Sequence, residues 1–121
     1  MKKSLGTTNE NLIGLVDFLR SESKAKKAPI WGDVAKRIGG PRRNRAEVNL
    51  NILNRNSKAN DVIAIPGKLL GSGAIGHKVT VAALSFSSKA QKKITESGGK
   101  CLSFNELVNK NPKGTNVLIL K

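Results

Sequence analysis

The sequence predicts an α/β fold, a compact arrangement of short strands and helices. Three observations carry this. β-branched runs such as Val62-Ile63-Ala64-Ile65 and Val79-Thr80-Val81 alternate with stretches whose apolar residues recur at helical spacing. Gly-Gly, Gly-Pro and Pro-Gly steps punctuate the boundaries between them. Neither an internal repeat nor a linker interrupts the 121 residues, so one domain over 1–121 with a modest core is expected.

The first element is a helix. Thr7 and Glu10 have the spacing of a capping box, and Leu12, Ile13, Val16 and Leu19 follow at helical intervals until the pattern dissolves near Ser21-Glu22-Ser23. Lys24, Lys26 and Lys27 then read as a basic connector. A second helix is expected from Pro29, with Trp31, Val34 and Ile38 on one face and Gly39-Gly40-Pro41 as its stop. The alternation of Val48, Leu50 and Ile52 with Asn49 and Asn51 suggests a half-buried strand, with a helix as the alternative. After a turn at Asn60-Asp61, Val62–Ile65 reads as a buried strand ended by Pro66-Gly67. A glycine-rich loop over 67–76 leads into a strand from Val79 to Leu84.

The last third is more regular. Ser88 with Gln91 offers a capping box for a helix that buries Ala90 and Ile94 and ends at Gly98-Gly99. A short strand over Lys100–Leu102 follows. Ser103 and Glu106 cap a helix carrying Phe104, Leu107 and Val108, which stops before Pro112. Asn116–Leu120 completes the pattern as a final apolar strand.

The charge is extreme. Twenty-two Lys and Arg against eight Asp and Glu give a formal charge of +14. Self-repulsion on this scale does not favour a compact chain, so a polyanionic partner is implied. No apolar run reaches the roughly 20 residues of a membrane helix, and no basic amphipathic helix carries the aromatics of a membrane-surface binder. Met1-Lys2-Lys3 precedes no signal-like apolar stretch, and one cysteine, Cys101, forms no internal disulfide, so a cytoplasmic location is expected.

The functional groups for catalysis are sparse. His77 is the only histidine, Cys101 lies in an apolar strand pattern, and the eight carboxylates are scattered. No enzyme, cofactor, metal or small-molecule substrate is expected. Gly71-Ser72-Gly73-Ala74-Ile75-Gly76 satisfies G-x-G-x-x-G, but strand-forming residues follow it where a dinucleotide site requires a helix N-terminus. His77-Lys78-Val79 also departs from the Lys and Ser/Thr that complete a P-loop.

Gly71 and Gly73 have an ordinary reading as turn residues. Flanked by Lys68, His77 and Lys78, they also suit a loop whose backbone approaches phosphate, and the charge favours that reading. Arg42, Arg43 and Arg45, extended by Arg55 and Lys58, could form only a solvated surface. Their density beside a Gly-Gly-Pro break points instead to bidentate phosphate contact. From Val62 to Thr95 no acidic residue occurs, a sidedness unusual for a merely soluble surface. Tyr is absent, and Trp31, Phe18, Phe86 and Phe104 all fall at expected core positions. With no aromatic left over for base stacking, the expected contacts are to phosphate, ribose and shape. Composition alone also permits a chromatin-type DNA-binding protein.

The run Lys78–Ser87, followed by Ala90, Ile94, Gly98-Gly99, Leu107 and Asn111-Pro112-Lys113-Gly114, resembles the archaeal and eukaryotic large-subunit ribosomal protein family "L eighteen e", a relative of the bacterial "L fifteen". Asn11-Leu12-Ile13, Ile30–Ala35, Pro41-Arg42-Arg43 and Val62–Gly71 extend the resemblance to nearly the whole chain. The bacterial relatives' long basic N-terminal extension and the eukaryotic members' basic tail are missing, so the short form resembles archaeal members. The resemblance implies a non-catalytic constituent of the large ribosomal subunit, an irregular fold of stacked β-β-α-like turns, and ribosomal RNA and neighbouring ribosomal proteins as partners. Its RNA contacts carry over to the 42–45 arm and the 68–78 loop. Lys24, Lys26, Lys27 and Lys113 are added by charge, with the basic connector and arm spanning about residues 24–58.

Overall fold

The computed structural model describes residues 4–39, 46–114 and 116–120, with backbone alone for 4–13 and 46. In chain order the elements are α1 (Ser4–Ala25), α2 (Pro29–Gly39), β1 (Ala46–Asn49), α3 (Leu50–Arg55), β2 (Val62–Leu70), β3 (Thr80–Phe86), α4 (Ser88–Glu96), β4 (Lys100–Leu102), α5 (Phe104–Lys110) and β5 (Val117–Ile119).

The α/β expectation holds, and the sheet is parallel throughout. β2 is its centre. On one side it pairs with β3, which pairs with β4. On the other side β5 and β1 lie end to end: β5 takes Val62–Ala64, and β1 takes Gly67–Leu70. Among the described segments, β2–β3–α4 is one β-β-α turn, while helix and strand alternate elsewhere after the α1–α2 pair.

Helices cover both faces, as a parallel sheet requires. Because side chains alternate along a strand, Ala64 and Ala82 join α1, α2 and α5 in one core with Val16, Leu19, Trp31, Ile38, Phe104 and Leu107. Ile63, Ile65, Val81 and Ala83 point the other way, joining Leu50 and Leu53 of α3 and Ala90 and Ile94 of α4. Trp31 is fully buried, and its Nε1 donates to the Pro112 carbonyl at 2.7 Å. Phe104 is also buried, whereas Phe18 and Phe86 are half-buried against the two cores.

The structure departs from the sequence pattern at four places. α1 starts at Ser4 and continues to Ala25, so Thr7 lies inside the helix; its capping side chain and that of Glu10 lie outside the described residues, as do those of Leu12 and Ile13. Ser21–Ser23 do not end α1, because α2 folds back along it. The Ala28 N–H donates to the Ser23 carbonyl at 3.0 Å, and Gly32 lies so close that a β-carbon would stand 3.0 Å from Ser23 Oγ. Lys24 is therefore helical, and only Lys26 and Lys27 belong to the connecting turn.

The strand expected through Ile52 ends at Asn49. Leu50–Arg55 is helical instead, burying Leu50 and Leu53 and leaving Ile52 exposed. Pro66-Gly67 does not end β2. The register with β3 steps from Ile65↔Ala83 to Lys68↔Ser85, so β2 carries an extra residue there. Pro66 sits in that bulge, where partner β5 has ended and β1 has not begun, so its missing N–H costs no ladder bond. Finally, α4 is capped by Ser87, whose Oγ accepts from the Ala90 N–H, one residue before the expected cap. The Ser103/Glu106 box is present in both halves, at 3.0 and 3.2 Å.

Candidate nucleic-acid interface

The glycine-rich segment is the crossover between two parallel strands. β2 ends at Leu70, β3 starts at Thr80 beside Val62, and residues 71–79 carry the chain back along the sheet without a helix. The helix N-terminus of a dinucleotide site is therefore absent from this segment. Lys68, expected at the edge of the loop, is an exposed residue of β2.

Side-chain and backbone groups of α3 and α4 hold the crossover down. Lys93 Nζ donates to the carbonyls of Gly73 (2.6 Å) and Gly71 (3.0 Å). The Asn51 N–H donates to the Ser72 carbonyl at 3.2 Å, and Asn54 Oδ1 accepts from the Gly76 N–H at 2.9 Å. Gly71 lies against Lys89 and the Ala90 backbone, where a β-carbon would come within 2.7 Å of Lys89 Cβ. Gly73 has φ +97°, and a β-carbon there would collide with the Asn51 amide. These close approaches are a sufficient reason for both glycines without a phosphate.

His77 anchors the same segment. Ser57 Oγ lies 2.8 Å from His77 Nε2, a separation that suits a nucleophile and its base. However, Ser57 Oγ also lies 2.6 Å from the Leu53 carbonyl, which can only accept, so the hydroxyl proton points there and Nε2 donates to Ser57. A base would have to do the reverse. The pair joins the end of α3 to the crossover and leaves no activated nucleophile. Burial raises the pKa of the Cys101 thiol, keeping it in its unreactive neutral form. Among the described residues no His, Cys, Asp and Glu group could hold a metal.

The remaining sequence-derived candidates fall into separate groups. Lys24, Lys26 and Lys27 lie at the tip of the α1–α2 hairpin. Trp31 and Ile30, just beyond that tip, pack against Pro112 and Gly114, which brings Lys113 to the same region. Arg55 and Lys58 lie at the end of α3 and just beyond it; Asn60 donates its N–H to the Lys78 carbonyl at 2.7 Å, drawing Lys78 alongside them. Lys68 stands apart, six strand residues beyond Val62 and so about 20 Å along the sheet. Arg42, Arg43 and Arg45 lie outside the described residues.

All these lysines and Arg55 are exposed. Among the described residues the single ion pair is Arg37–Asp33, at 3.4 Å. The surface is thus cationic with little internal compensation. Sequence reasoning missed Lys93, whose charge is used internally, and Lys100, which the Thr80↔Lys100 register places beside the start of β3. Neither stands out by local pattern, because parallel pairing and the loop contact create both positions.

Comparison with known proteins agrees over the full length. The family described as "Ribosomal protein 60S L18 and 50S L18e" matches residues 1–121. The chain belongs to this family. Relatives named "Large ribosomal subunit protein eL18" include one from Archaeoglobus fulgidus, 48% identical over 120 residues and covering 99% of both chains. Another, from Methanothermobacter thermautotrophicus, is 45% identical over 121 residues and 100% of both chains. A third, from Methanococcus maripaludis, is 45% identical over 118 residues and 98% of both. Membership of the L18e family makes the protein a structural, non-enzymatic constituent of the large ribosomal subunit.

Proposed function

We propose that this ribosomal protein, acting as one RNA-binding unit over residues 1–121, holds large-subunit ribosomal RNA through phosphate, ribose and shape contacts, alongside neighbouring ribosomal proteins in the cytoplasmic ribosome. The observation that carries this reading is the uncompensated charge: +14 overall, with one ion pair among the described residues. Lysines without carboxylate partners are available to replace the counterions condensed on RNA, and their release drives association. Trp31 and Phe104 are buried and Phe18 and Phe86 are packed against the cores, which disfavours base stacking as the mode of recognition.

The Arg42, Arg43 and Arg45 arm belongs to this proposal, as do Arg55, Lys58 and Lys78. Gly71 and Gly73 contribute by letting the crossover lie flat, so that Lys78 emerges from a fixed segment. Competition binding between large-subunit ribosomal RNA and duplex DNA of mixed sequence at moderate salt tests the reading. Preference for the ribosomal RNA is expected; equal affinity for the duplex would show that the chain binds polyanions without selecting structured ribosomal RNA and would overturn this mode of recognition. Replacing Arg42, Arg43 and Arg45 by Ala is expected to flatten the salt dependence by about 0.7–0.9 log units per lost phosphate contact. An unchanged slope would reduce the arm to surface.

A further inference from the structure

One edge of the sheet differs from the other in backbone geometry, and it carries a row of lysines. At the edge where the strands begin, Lys58 precedes β2, Lys78 precedes β3 and Lys100 opens β4. Their backbones are laced together: Asn60 N–H donates to the Lys78 carbonyl, Thr80 N–H to the Asp61 carbonyl at 3.0 Å, and Lys100 N–H to the Val79 carbonyl at 3.0 Å. The stem of Lys78 passes beside Gly98. A shallow groove lined by Asn60, Asp61, Val62, Asn116, Val117 and Leu118 continues this edge toward β5. Beyond it, the contact of Ile30 with Gly114 brings in the hairpin tip and Lys113.

Two carboxylates lie near the lysine row, and neither forms an ion pair with it. Asp61 Oδ2 accepts from the Lys58 N–H at 2.8 Å, so it serves the turn. Glu96 lies on the α4 side, lining a hollow with Ala74, Ile75, Lys93 and Ser97. The opposite edge, where Asn49, Gly71, Ser87 and Ser103 follow the strands, also carries exposed lysines, Lys68 and Lys89, with the Glu106 carboxylate, but the strand starts differ from it in their turns.

Left-handed residues gather in the turns at the lysine edge. Among the described residues six have positive φ: Lys27 (52°), Asn60 (70°), Asn116 (61°), Gly98 (89°), Gly114 (67°) and Gly73 (97°). All but Gly73 lie in turns at or beside this edge. Left-handed residues reverse the chain within a few positions, so Lys58 and Lys100 sit by short, hydrogen-bonded turns, while Lys78 ends the crossover that Lys93 and Asn54 pin down. Fixed cationic positions need less ordering when they meet a rigid polyanion.

We propose that this edge, with Lys58, Lys78 and Lys100 at its centre and Lys26, Lys27 and Lys113 as its continuation, is a preorganised face for the phosphate backbone of structured RNA. It rests on the RNA-binding reading above and assigns that reading a place. In α/β sheets small ligands usually sit beyond the other ends of the strands, at the helix N-termini. A polyanion wider than any pocket is instead met here by a row of side chains along the strand starts.

The test compares the triple variant Lys58→Ala, Lys78→Ala, Lys100→Ala with a charge-matched variant on helix faces, Arg20→Ala, Lys36→Ala, Lys92→Ala. Binding to purified large-subunit ribosomal RNA is followed over a salt series. The edge variant is expected to flatten the log–log slope by about 2 to 3, the helix-face variant by less than about 1. Equal flattening, or none from the edge variant, would overturn the proposal. Failure of the wild-type chain to prefer ribosomal RNA would instead remove the reading beneath it. Because a variant could fail to fold, lysine acetylation of the wild-type protein provides a second readout. RNA should protect Lys58, Lys78 and Lys100 while Lys36 and Lys92 remain reactive; the reverse pattern would also refute the proposal.

Discussion

Gly73 shows how much a single atom decides in this protein. Its φ of +97° disfavours any L side chain, and the Asn51 amide occupies the space a β-carbon would need. Gly73→Ala is expected to cost about 1–3 kcal/mol in urea unfolding. Adding Asn51→Ala should recover the steric part but not the backbone part; complete recovery would show that φ contributes nothing. Glu106 is a second residue with a calculable sign. The Ser103 backbone N–H, then the Ser103 side chain and the Lys110 charge, lower its pKa below the ordinary glutamate value. A carboxylate lowered on folding stabilises the native state above its unfolded pKa, and that contribution disappears as pH falls through the folded pKa. Glu106→Gln retains an acceptor oxygen but cannot titrate. Its acid limb of stability against pH, measured by thermal melting, should therefore be shallower than that of the wild type. An identical limb would mean that the capping carboxylate contributes no pH dependence.

At the scale of elements, α3 separates local pattern from tertiary outcome. Val48, Leu50 and Ile52 alternate like a strand, and Leu50, Leu53 satisfy a helix equally well. In the fold, β1 reaches the end of its partner at Asn49↔Leu70, and the next residues cross above the sheet to seat Leu50 and Leu53. Exposure follows the helix: Ile52 is 36% exposed while Leu53 is fully buried. Ile52→Lys should change unfolding free energy by less than about 0.5 kcal/mol, whereas Leu53→Ala should cost about 2–5 kcal/mol. Reversed costs would restore the strand. The capped C-terminal elements were more legible because their signals are local: Ser103, Glu106 and Gly98 act within a few residues of themselves. The course of β2 through Pro66-Gly67 was hidden because a proline is tolerated only where no partner needs its N–H. That depends on where β5 stops and β1 starts.

For the whole molecule, a charge of +14 on 121 residues implies self-repulsion that the fold only partly offsets, with one ion pair among its described residues. Without RNA, raising ionic strength with a weakly interacting salt should raise the melting temperature until screening is complete. A flat or falling curve would mean that repulsion does not limit stability. The sequence by itself determined the α/β class, the Ser103/Glu106 capping box, the burial of Trp31 and Phe104, the cationic character and the ribosomal family, because these rest on local chemistry and on residues read one at a time. Only the tertiary structure decided that the strands are all parallel, that the glycine segment is a helix-free crossover clamped by Lys93, and that His77 donates to Ser57. It also brought Lys58, Lys78 and Lys100 to one edge, since parallel pairing aligns strand starts that lie some twenty residues apart along the chain.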